Sequence, residues 1–238
     1  MTTPSMPVAA DPRGEWPSDC PPELRFHVEH VVDRLAEEFP GLFSQQTLVR
    51  TVADNYVSLG EVTVAKHLPV LAHRFARERL RACAIVVGQL VKDRPEILVA
   101  CRQNAGRSIA ASVLLDHYAQ GRVVVRSAGS TPADEIHPEI KTILAERGLS
   151  TEGLFPKPFT DEMVQAADVV ITMGCGEACP VFPGKRYLDW TVDDPSGQPL
   201  DVVRRIVDDI DGRVRGLLPD LVTRDDRPDP PRPAAVGG

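Results

Sequence analysis

The chain is 238 residues long, with 42% hydrophobic and 26% charged residues and a net charge of −7 at pH 7. This composition is ordinary for a soluble globular protein, and the length allows one medium domain or a small and a medium one. The acidic balance without a basic stripe argues against a nucleic-acid partner, and no apolar run approaches a membrane span. Residues 1–11 lack the layout of a signal peptide, so we expect a cytoplasmic protein with neither nucleic-acid nor membrane partners.

Both ends of the chain are predicted to be disordered tails. Residues 1–20 are rich in proline and show little periodicity, and residues 223–238 are rich in proline and charged side chains. Such segments hold too few apolar side chains to build a packed core. Cys20, at the end of the first tail, is expected to be a free surface thiol.

A small helical bundle is predicted for residues 21–92. Apolar residues recur there at spacings of three and four, which is typical of amphipathic helices. In the first helix they are Leu24, Val28, Val31, Val32, Leu35 and Phe39. Pro40 and Gly41 end this helix, Ser44 caps a second one, and a third ends in a basic turn that complements the helix dipole. Three such helices with short loops indicate a three-helix bundle domain.

Strands and helices alternate from residue 93 onward. The pattern predicts strands at 97–100, 123–126 and 168–173, and helices at 107–120, 138–147 and 201–218, with Thr160 capping a further helix. This order indicates an α/β domain, residues 93–222, with a parallel sheet covered by helices on both faces. Ligands of such sheets bind beyond the carboxyl ends of the strands, which is where Cys101 and Cys175 both fall.

The segment Cys101–Ser108 reads CRQNAGRS and lies between a predicted strand and a predicted helix. Its backbone N–H groups and the helix N-terminus offer positive potential to a tetrahedral oxyanion and favour a thiolate at Cys101. Arg107 offers a bidentate fork to two anion oxygens, and Ser108 could donate a hydrogen bond to the sulfur. We call residues 101–108 the oxyanion loop. Its predicted anion-binding residues are Arg102, Gln103, Asn104, Ala105, Gly106, Arg107 and Ser108.

The alternative for this segment is a structural cysteine after a core strand, with Arg107 on the surface. A cysteine and an arginine six positions apart occur by chance in many chains. The preceding strand, the following helix and Gly106 supply the context that the motif requires, so we favour a nucleophile in an anion site.

A second pair of cysteines, Cys175 and Cys179, lies in a loop that follows the strand 168–173. We call residues 173–180 the double-cysteine loop. Two cysteines four positions apart are half of a zinc site at most, because structural zinc needs four ligands and no second pair or adjacent histidine is present. Coincidental loop cysteines remain an alternative. We favour a redox role, because the strand order places this loop at the same sheet edge as Cys101.

Each remaining candidate has a structural interpretation, and for Asp193 and Asp194 the functional one stays open beside it. Asp193 and Asp194 precede Pro195 in an acidic turn, where a carboxylate either caps the turn or protonates a leaving oxygen. His27 and His30 are three positions apart on a helix and could ligate a metal, but a solvated helix face is favoured and no metal site is predicted. Cys83 is expected to fill the helical core.

The oxyanion loop, RSAGS at 126–130, the double-cysteine loop and the Asp-Asp-Pro turn together resemble the low-molecular-weight protein tyrosine phosphatase family. Within that family they are most similar to the thioredoxin-coupled arsenate reductases. The resemblance covers about residues 95–220, and the preceding bundle resembles an actinobacterial arrangement. It implies a parallel four-stranded sheet with helices on both faces.

The resemblance also implies an activity, the reduction of arsenate to arsenite with thioredoxin as external reductant and no tightly bound cofactor. Phosphate or sulfate would compete with arsenate. A covalent adduct on the nucleophile would be resolved by a cascade of disulfides. The implied roles are nucleophile for Cys101, oxyanion binding for Arg107, loop organisation for Asn104 and Ser108, general acid for Asp194, and second and third redox cysteines for Cys175 and Cys179.

Several alternatives stay open. Mycothiol, a low-molecular-weight thiol, could be the reductant, or the protein could be a low-molecular-weight protein tyrosine phosphatase. Ser196 and Gly197 stand where paired tyrosines are typical of the phosphatases, which disfavours the second possibility. The spacing of the two loop cysteines is short for the reductases, and Arg102 is bulky for its position. A non-enzymatic oxyanion-sensing or partner-binding module and a homodimer through the bundle are further hypotheses.

Overall fold

The computed structural model describes residues 22–60, 68–175 and 178–222, and for residues 22–27 the backbone alone. The two predicted tails, Cys20 and the side chain of His27 lie outside this description. Among the described residues, no helix combines the length and the apolar character needed to cross a membrane.

Three helices form the N-terminal part of the chain: α1 (Pro22–Glu38), α2 (Gln45–Gly60) and α3 (Leu68–Val86). We call them the helical layer. The predicted cap of the second helix is present, since the Ser44 hydroxyl accepts the N–H of Thr47 at 3.2 Å. The layer is held by fully buried apolar side chains, namely Leu35, Leu48, Val52, Leu59, Phe75 and Leu80. The predicted helical N-terminal region is therefore confirmed. The predicted basic end of the third helix is wrong, because α3 continues past Arg81 to Val86 and its last turn holds no basic residue.

The C-terminal part contains a four-stranded sheet of β1 (Glu96–Cys101), β2 (Val124–Gly129), β3 (Val169–Met173) and β4 (Arg186–Asp189). The strands run in the order β2-β1-β3-β4, and every neighbouring pair is parallel. This confirms the predicted parallel sheet. Of these four strands, β4 was not located from the sequence. It is a short, half-exposed edge strand with neither an apolar run nor a clean alternation of apolar and polar residues.

Helices cover both faces of the sheet, as predicted for this order of elements. They are α4 (Arg107–Ala119), α5 (Pro138–Glu146), α6 (Asp161–Ala166) and α7 (Leu200–Val222). Helices α4, α5 and α7 pack on one face, where Val99 and Ile171 meet Ile109 and Val207 in one cluster. Helix α7 runs four residues past its predicted end at Leu218 and includes Pro219.

The other face of the sheet shares a hydrophobic cluster with the helical layer. Leu98, Ala100 and Val170 of the sheet and Met163 of α6 belong to the same buried cluster as Phe75 of α3. Ion pairs cross the same boundary, from Arg79 Nε to Glu162 Oε1 at 2.6 Å and from Arg81 Nε to the buried carboxylate of Glu96 at 3.3 Å. The predicted domain boundary between residues 92 and 93 stays a prediction. The two predicted domains share one of the hydrophobic clusters of the protein.

Replacing Phe75 by alanine should lower the free energy of unfolding by about 3–5 kcal/mol, because the ring is 1% exposed and leaves a cavity in the shared cluster. Chemical denaturation followed by circular dichroism measures the loss. The control is Val70→Ala in the same helix, where the side chain is 56% exposed and the change should stay within about 0.5 kcal/mol. Equal losses in the two variants would contradict the packing of α3.

Candidate active site

Cys101 is the last residue of β1 and the first residue of the oxyanion loop, and its side chain is buried. Its Sγ lies 3.0 Å from the Ser108 hydroxyl and accepts the backbone N–H of Asn104 at 3.3 Å. A hydroxyl and a backbone N–H thus converge on the sulfur from within its own loop. The structure thus brings Cys101, Asn104 and Ser108 together, as the sequence predicts.

The backbone of the oxyanion loop is held from outside by the segment that follows β2. Four loop carbonyls accept N–H groups of residues 130–137. The bonds run from Ser130 to Cys101 (3.2 Å), Thr131 to Arg102 (2.8 Å), Ala133 to Gln103 (2.9 Å) and His137 to Ala105 (3.0 Å). In a trans peptide the C=O and the following N–H point in opposite directions. Carbonyls turned outward therefore leave the next N–H groups facing the Cys101 side, where an oxyanion would bind.

Asn104 fixes the turn of the loop. Its φ is +49°, a left-handed conformation that asparagine tolerates better than most residues. Its side chain is fully buried, with Nδ2 donating to the Ser108 hydroxyl at 2.9 Å and Oδ1 accepting the Lys157 N–H at 3.0 Å. One side chain therefore connects the loop, the start of α4 and the segment before α6.

Arg107 begins α4 and points its guanidinium towards the Asp-Asp-Pro turn. Its Nη2 donates to Asp194 Oδ2 at 2.7 Å, and its Nη1 donates to the Val192 carbonyl at 3.3 Å. The guanidinium is nearly buried, whereas half of the Asp194 side chain is exposed. Gly174 leaves room for it, because a Cβ there would lie 2.9 Å from Nη1. The structure therefore unites Arg107, Asp194 and the start of the double-cysteine loop.

The turn that carries Asp194 also packs on the oxyanion loop. A Cβ at Gly106 would lie 2.7 Å from Cγ of Pro195, so only glycine fits beneath the proline. Asp194 Oδ1 accepts the N–H of Ser196 at 3.0 Å, which shapes the turn. The side chain of Arg102, by contrast, is exposed, and its contribution to the loop is its backbone.

Cys101, Cys175 and Cys179 are buried and free, and Cys83 is free and half-buried. Cys175 lies two residues beyond Met173, which pairs with Cys101 across the parallel strands β1 and β3. The Cys179 thiol donates a hydrogen bond to the Cys175 sulfur, which lowers the pKa of Cys175 to about 7 and raises that of Cys179. Cys175 is thus the loop cysteine prepared to act as a thiolate near neutral pH.

Cys179 lines an open cavity of about 610 Å³ beside the edge strand β4. Trp190 and Val181 also line this cavity, and Val181 is 79% exposed. Cys83 lies in α3, where burial raises the pKa of its thiol to about 11 and keeps it protonated at neutral pH. Within the described residues, no group of three or more histidine, cysteine or acidic side chains is arranged to hold a metal ion.

The sequence analysis did not predict two residues that bind the oxyanion loop. Lys157 supplies the N–H that Asn104 Oδ1 accepts, and it lies in a Pro-Lys-Pro stretch without helical or strand periodicity. His137, whose N–H binds the loop at Ala105, precedes the first turn of α5. Both residues bind the loop through backbone N–H groups, which a pattern of side chains in the sequence cannot reveal.

Replacing Gly129 by alanine should disrupt the oxyanion loop. A Cβ there would lie 2.7 Å from the Arg102 carbonyl oxygen and 2.9 Å from the Asn104 nitrogen, both backbone atoms. Such overpacking costs about 1–3 kcal/mol, and we expect inorganic phosphate binding to fall at least tenfold by calorimetry. Gly212→Ala in α7 is the control, since nothing lies within 4 Å of its Cβ and a helical alanine should stabilise by about 1 kcal/mol.

Removing the Cys179 thiol should make Cys175 less acidic. The hydrogen bond from Cys179 is the main cause of the lowered Cys175 pKa, so the Cys175 pKa should rise from about 7 towards its usual value near 9 in Cys179→Ala. Iodoacetamide labelling of the Cys175 peptide across pH, read by mass spectrometry, measures this shift. An unchanged profile would contradict the thiol pair, and Cys83→Ala serves as the control.

Comparisons with known proteins agree with this geometry. Residues 96–227 match the family model of the low molecular weight phosphotyrosine protein phosphatases, and residues 28–84 match the protein-tyrosine-phosphatase-like N-terminal domain. A putative arsenate reductase of Halobacterium salinarum is 32% identical over 50% of this chain and 87% of its own length. A glutaredoxin arsenate reductase of Synechocystis is 28% identical over 52% of this chain and 95% of its own.

A solved structure extends the similarity over the helical layer. The thioredoxin-dependent arsenate reductase of Corynebacterium glutamicum is 44% identical, with a TM-score of 0.74, over 83% of this chain and 97% of its own. The match therefore includes both the helical layer and the α/β part. With a family model that spans more than half of its residues, the chain belongs to the low molecular weight phosphotyrosine protein phosphatase family.

Proposed function

We propose that the protein is an arsenate reductase that uses Cys101, Cys175 and Cys179 in turn and is recycled by thioredoxin. The observation that carries the proposal is the pair of free, hydrogen-bonded cysteines in the loop after β3, the strand next to the one that ends at Cys101. A phosphatase needs only a thiolate, an arginine and an acid, whereas electron transfer through disulfides needs two further thiols near the first.

The first step is formation of a covalent adduct. Arsenate binds to the inward N–H groups of the oxyanion loop and to Arg107, and the Cys101 thiolate attacks arsenic. An As–S bond forms, and an arsenic-bound hydroxyl leaves as water with a proton from Asp194. Asp194 pairs with Arg107 in this structure, so the incoming oxyanion competes for the guanidinium and releases the carboxylate. The released carboxylate takes up the proton that the Cys101 thiol gives up, and passes it to the leaving hydroxyl.

The second step reduces arsenic. The Cys175 thiolate attacks Sγ of Cys101, an S–S bond forms, and the S–As bond breaks with its electron pair on arsenic. Arsenic passes from the +5 to the +3 state and leaves as arsenite, and the two sulfurs are oxidised to a disulfide. The lowered pKa of Cys175 favours this attack, since the thiolate is the nucleophile.

The third step restores Cys101. Cys179 attacks Cys175, Cys101 leaves as a thiolate, and a disulfide joins Cys175 to Cys179. The hydrogen bond to the Cys175 thiolate raises the pKa of Cys179, and this cause disappears once Cys175 is in a disulfide. Burial is the remaining cause that raises the pKa of Cys179, so exposure of the loop to water would favour its thiolate further. The cavity beside β4 leaves Cys179 open to an external thiol, and the similarity to a thioredoxin-dependent arsenate reductase supports thioredoxin as the two-electron donor.

Two alternatives use the same oxyanion loop. Mycothiol could resolve the arsenic adduct on Cys101 without either loop cysteine, and a phosphatase would need only Cys101, Arg107 and Asp194. The ion pair between Arg107 and Asp194 is compatible with mycothiol-dependent reduction and with phosphatase activity. Phosphate and sulfate should compete with arsenate in each case, because the loop recognises a tetrahedral anion by its shape and charge. The thiol chemistry also fits a reducing compartment such as the cytoplasm.

Serine at position 175 or 179 should abolish arsenate-dependent NADPH consumption with thioredoxin and its reductase. Cys179→Ser should still release about one arsenite per protein in a single burst, because its Cys175 can complete the second step, whereas Cys175→Ser should release none. Both variants should bind arsenate, and Cys83→Ser should keep full turnover.

The same assay, run in parallel with mycothiol, separates the alternatives. Full thioredoxin-coupled activity in both serine variants would overturn the three-cysteine mechanism. Turnover that survives in these variants with mycothiol alone would identify the small thiol as reductant. Fast hydrolysis of an aryl phosphate, with no arsenite formed, would identify a phosphatase.

A further inference from the structure

The oxyanion loop is connected to the helical layer through Lys157. The backbone N–H of Lys157 donates to Asn104 Oδ1 at 3.0 Å. Its side chain is only 3% exposed, with Nζ at 3.2 Å from Glu78 Oε1 of α3 and 4.7 Å from the centroid of the Phe155 ring. A continuous series of contacts therefore runs from α3 to the residue that supports Cys101.

We propose that Glu78 is a positioning residue for the oxyanion loop. Its carboxylate holds the Lys157 side chain, Lys157 holds Asn104 through its backbone N–H, and Asn104 orients Ser108 and its own N–H towards the Cys101 sulfur. The inference rests on the proposed function in one respect, namely that the loop binds a tetrahedral oxyanion.

The backbone around Lys157 is stiff enough to transmit a displacement of its side chain. Pro156 and Pro158 flank it, and proline fixes its own φ and restricts the residue before it. Pro158 bridges to Gly129, and the Lys157 carbonyl accepts the Gly129 N–H at 2.9 Å. The lysine side chain has four rotatable bonds of its own, but only 3% of it is exposed and it packs against the Phe155 ring. Carrying the ammonium group to water therefore requires the 156–158 segment to move, and with it the N–H that Asn104 accepts.

Glu78 differs in this respect from other polar residues of α3 that contact the α/β part. Arg79 pairs with Glu162 of α6, Arg81 pairs with Glu96 at the start of β1, and Arg74 donates to the Gly153 carbonyl. Those contacts hold the helical layer in place. The Glu78 contact ends on a residue that binds the oxyanion loop directly, so its loss has a specific consequence there.

Removal of Glu78 leaves a buried ammonium group without its counter-charge. A buried charge without a partner is unfavourable, and moving the ammonium group towards water relieves it. A shift of the Lys157 side chain towards solvent loosens the N–H bond to Asn104, and the oxyanion loop loses its fixed shape. A purely electrostatic role of Glu78 would have the opposite effect, because removing a nearby negative charge strengthens the binding of an anion.

The two roles are separated by calorimetric titration of the full chain with inorganic phosphate. Glu78→Leu should weaken phosphate binding about tenfold, the equivalent of one lost hydrogen bond to a charged group. Glu78→Gln should stay within about threefold of the wild type, because its amide oxygen still accepts a hydrogen bond from Lys157. The matched control is Glu162→Leu, which removes another ion pair of α3 and should leave the affinity unchanged.

Three results would overturn the inference. These are equal or tighter phosphate binding in Glu78→Leu, identical changes in the Gln and Leu variants, and an equal loss in Glu162→Leu. If Glu78→Leu does not fold, Glu78→Ala replaces it under the same expectation. A wild-type protein that binds neither phosphate nor arsenate would instead refute the oxyanion loop itself, and with it the proposed function.

Discussion

The left-handed turn at Asn104 is the constraint on which the candidate site depends. A loop that directs several N–H groups to one point must reverse its backbone within a few residues, and a positive φ achieves this. Asparagine tolerates this conformation and also contributes a buried amide that satisfies Ser108 and Lys157. The same residue thus sets the curvature of the loop and supports the hydroxyl next to the sulfur.

The parallel sheet accounts for the meeting of distant cysteines. Cys101 and Cys175 are 74 positions apart in the sequence, yet β1 and β3 are adjacent and end at the same edge. Helices on both faces keep this edge rigid, and the loops beyond it carry the side chains that react. The short β4 adds the Asp-Asp-Pro turn to the same region, so Arg107 finds its carboxylate partner there.

Much of this arrangement was predictable from the sequence. Helical periodicity gave the three N-terminal helices, and the alternation of apolar runs with helices gave the parallel sheet. The spacing of Cys101 and Arg107 is weak by itself, but the strand before it, the helix after it and Gly106 made the oxyanion loop predictable. Cys175 and Cys179 were identifiable because cysteine itself is rare.

Other features depend on contacts that no local pattern records. The strand β4 is short and half-exposed, so its position follows from pairing with β3. Lys157 contributes a backbone N–H, which every residue except proline possesses, and its partner Glu78 lies on a helix 79 positions earlier. The hydrogen bond between the loop cysteines depends on the fold of a glycine-containing loop, which composition does not determine.

The hydrophobic cluster shared by the helical layer and the sheet has a consequence for the α/β part taken alone. Curated relatives match about half of this chain over most of their own length, so an α/β part of this kind exists elsewhere without these helices. In this chain the helical layer covers the second face of the sheet and α6, with Phe75 in the shared cluster. Excision of the helical layer would expose that apolar face to water, and an exposed patch of this kind favours aggregation.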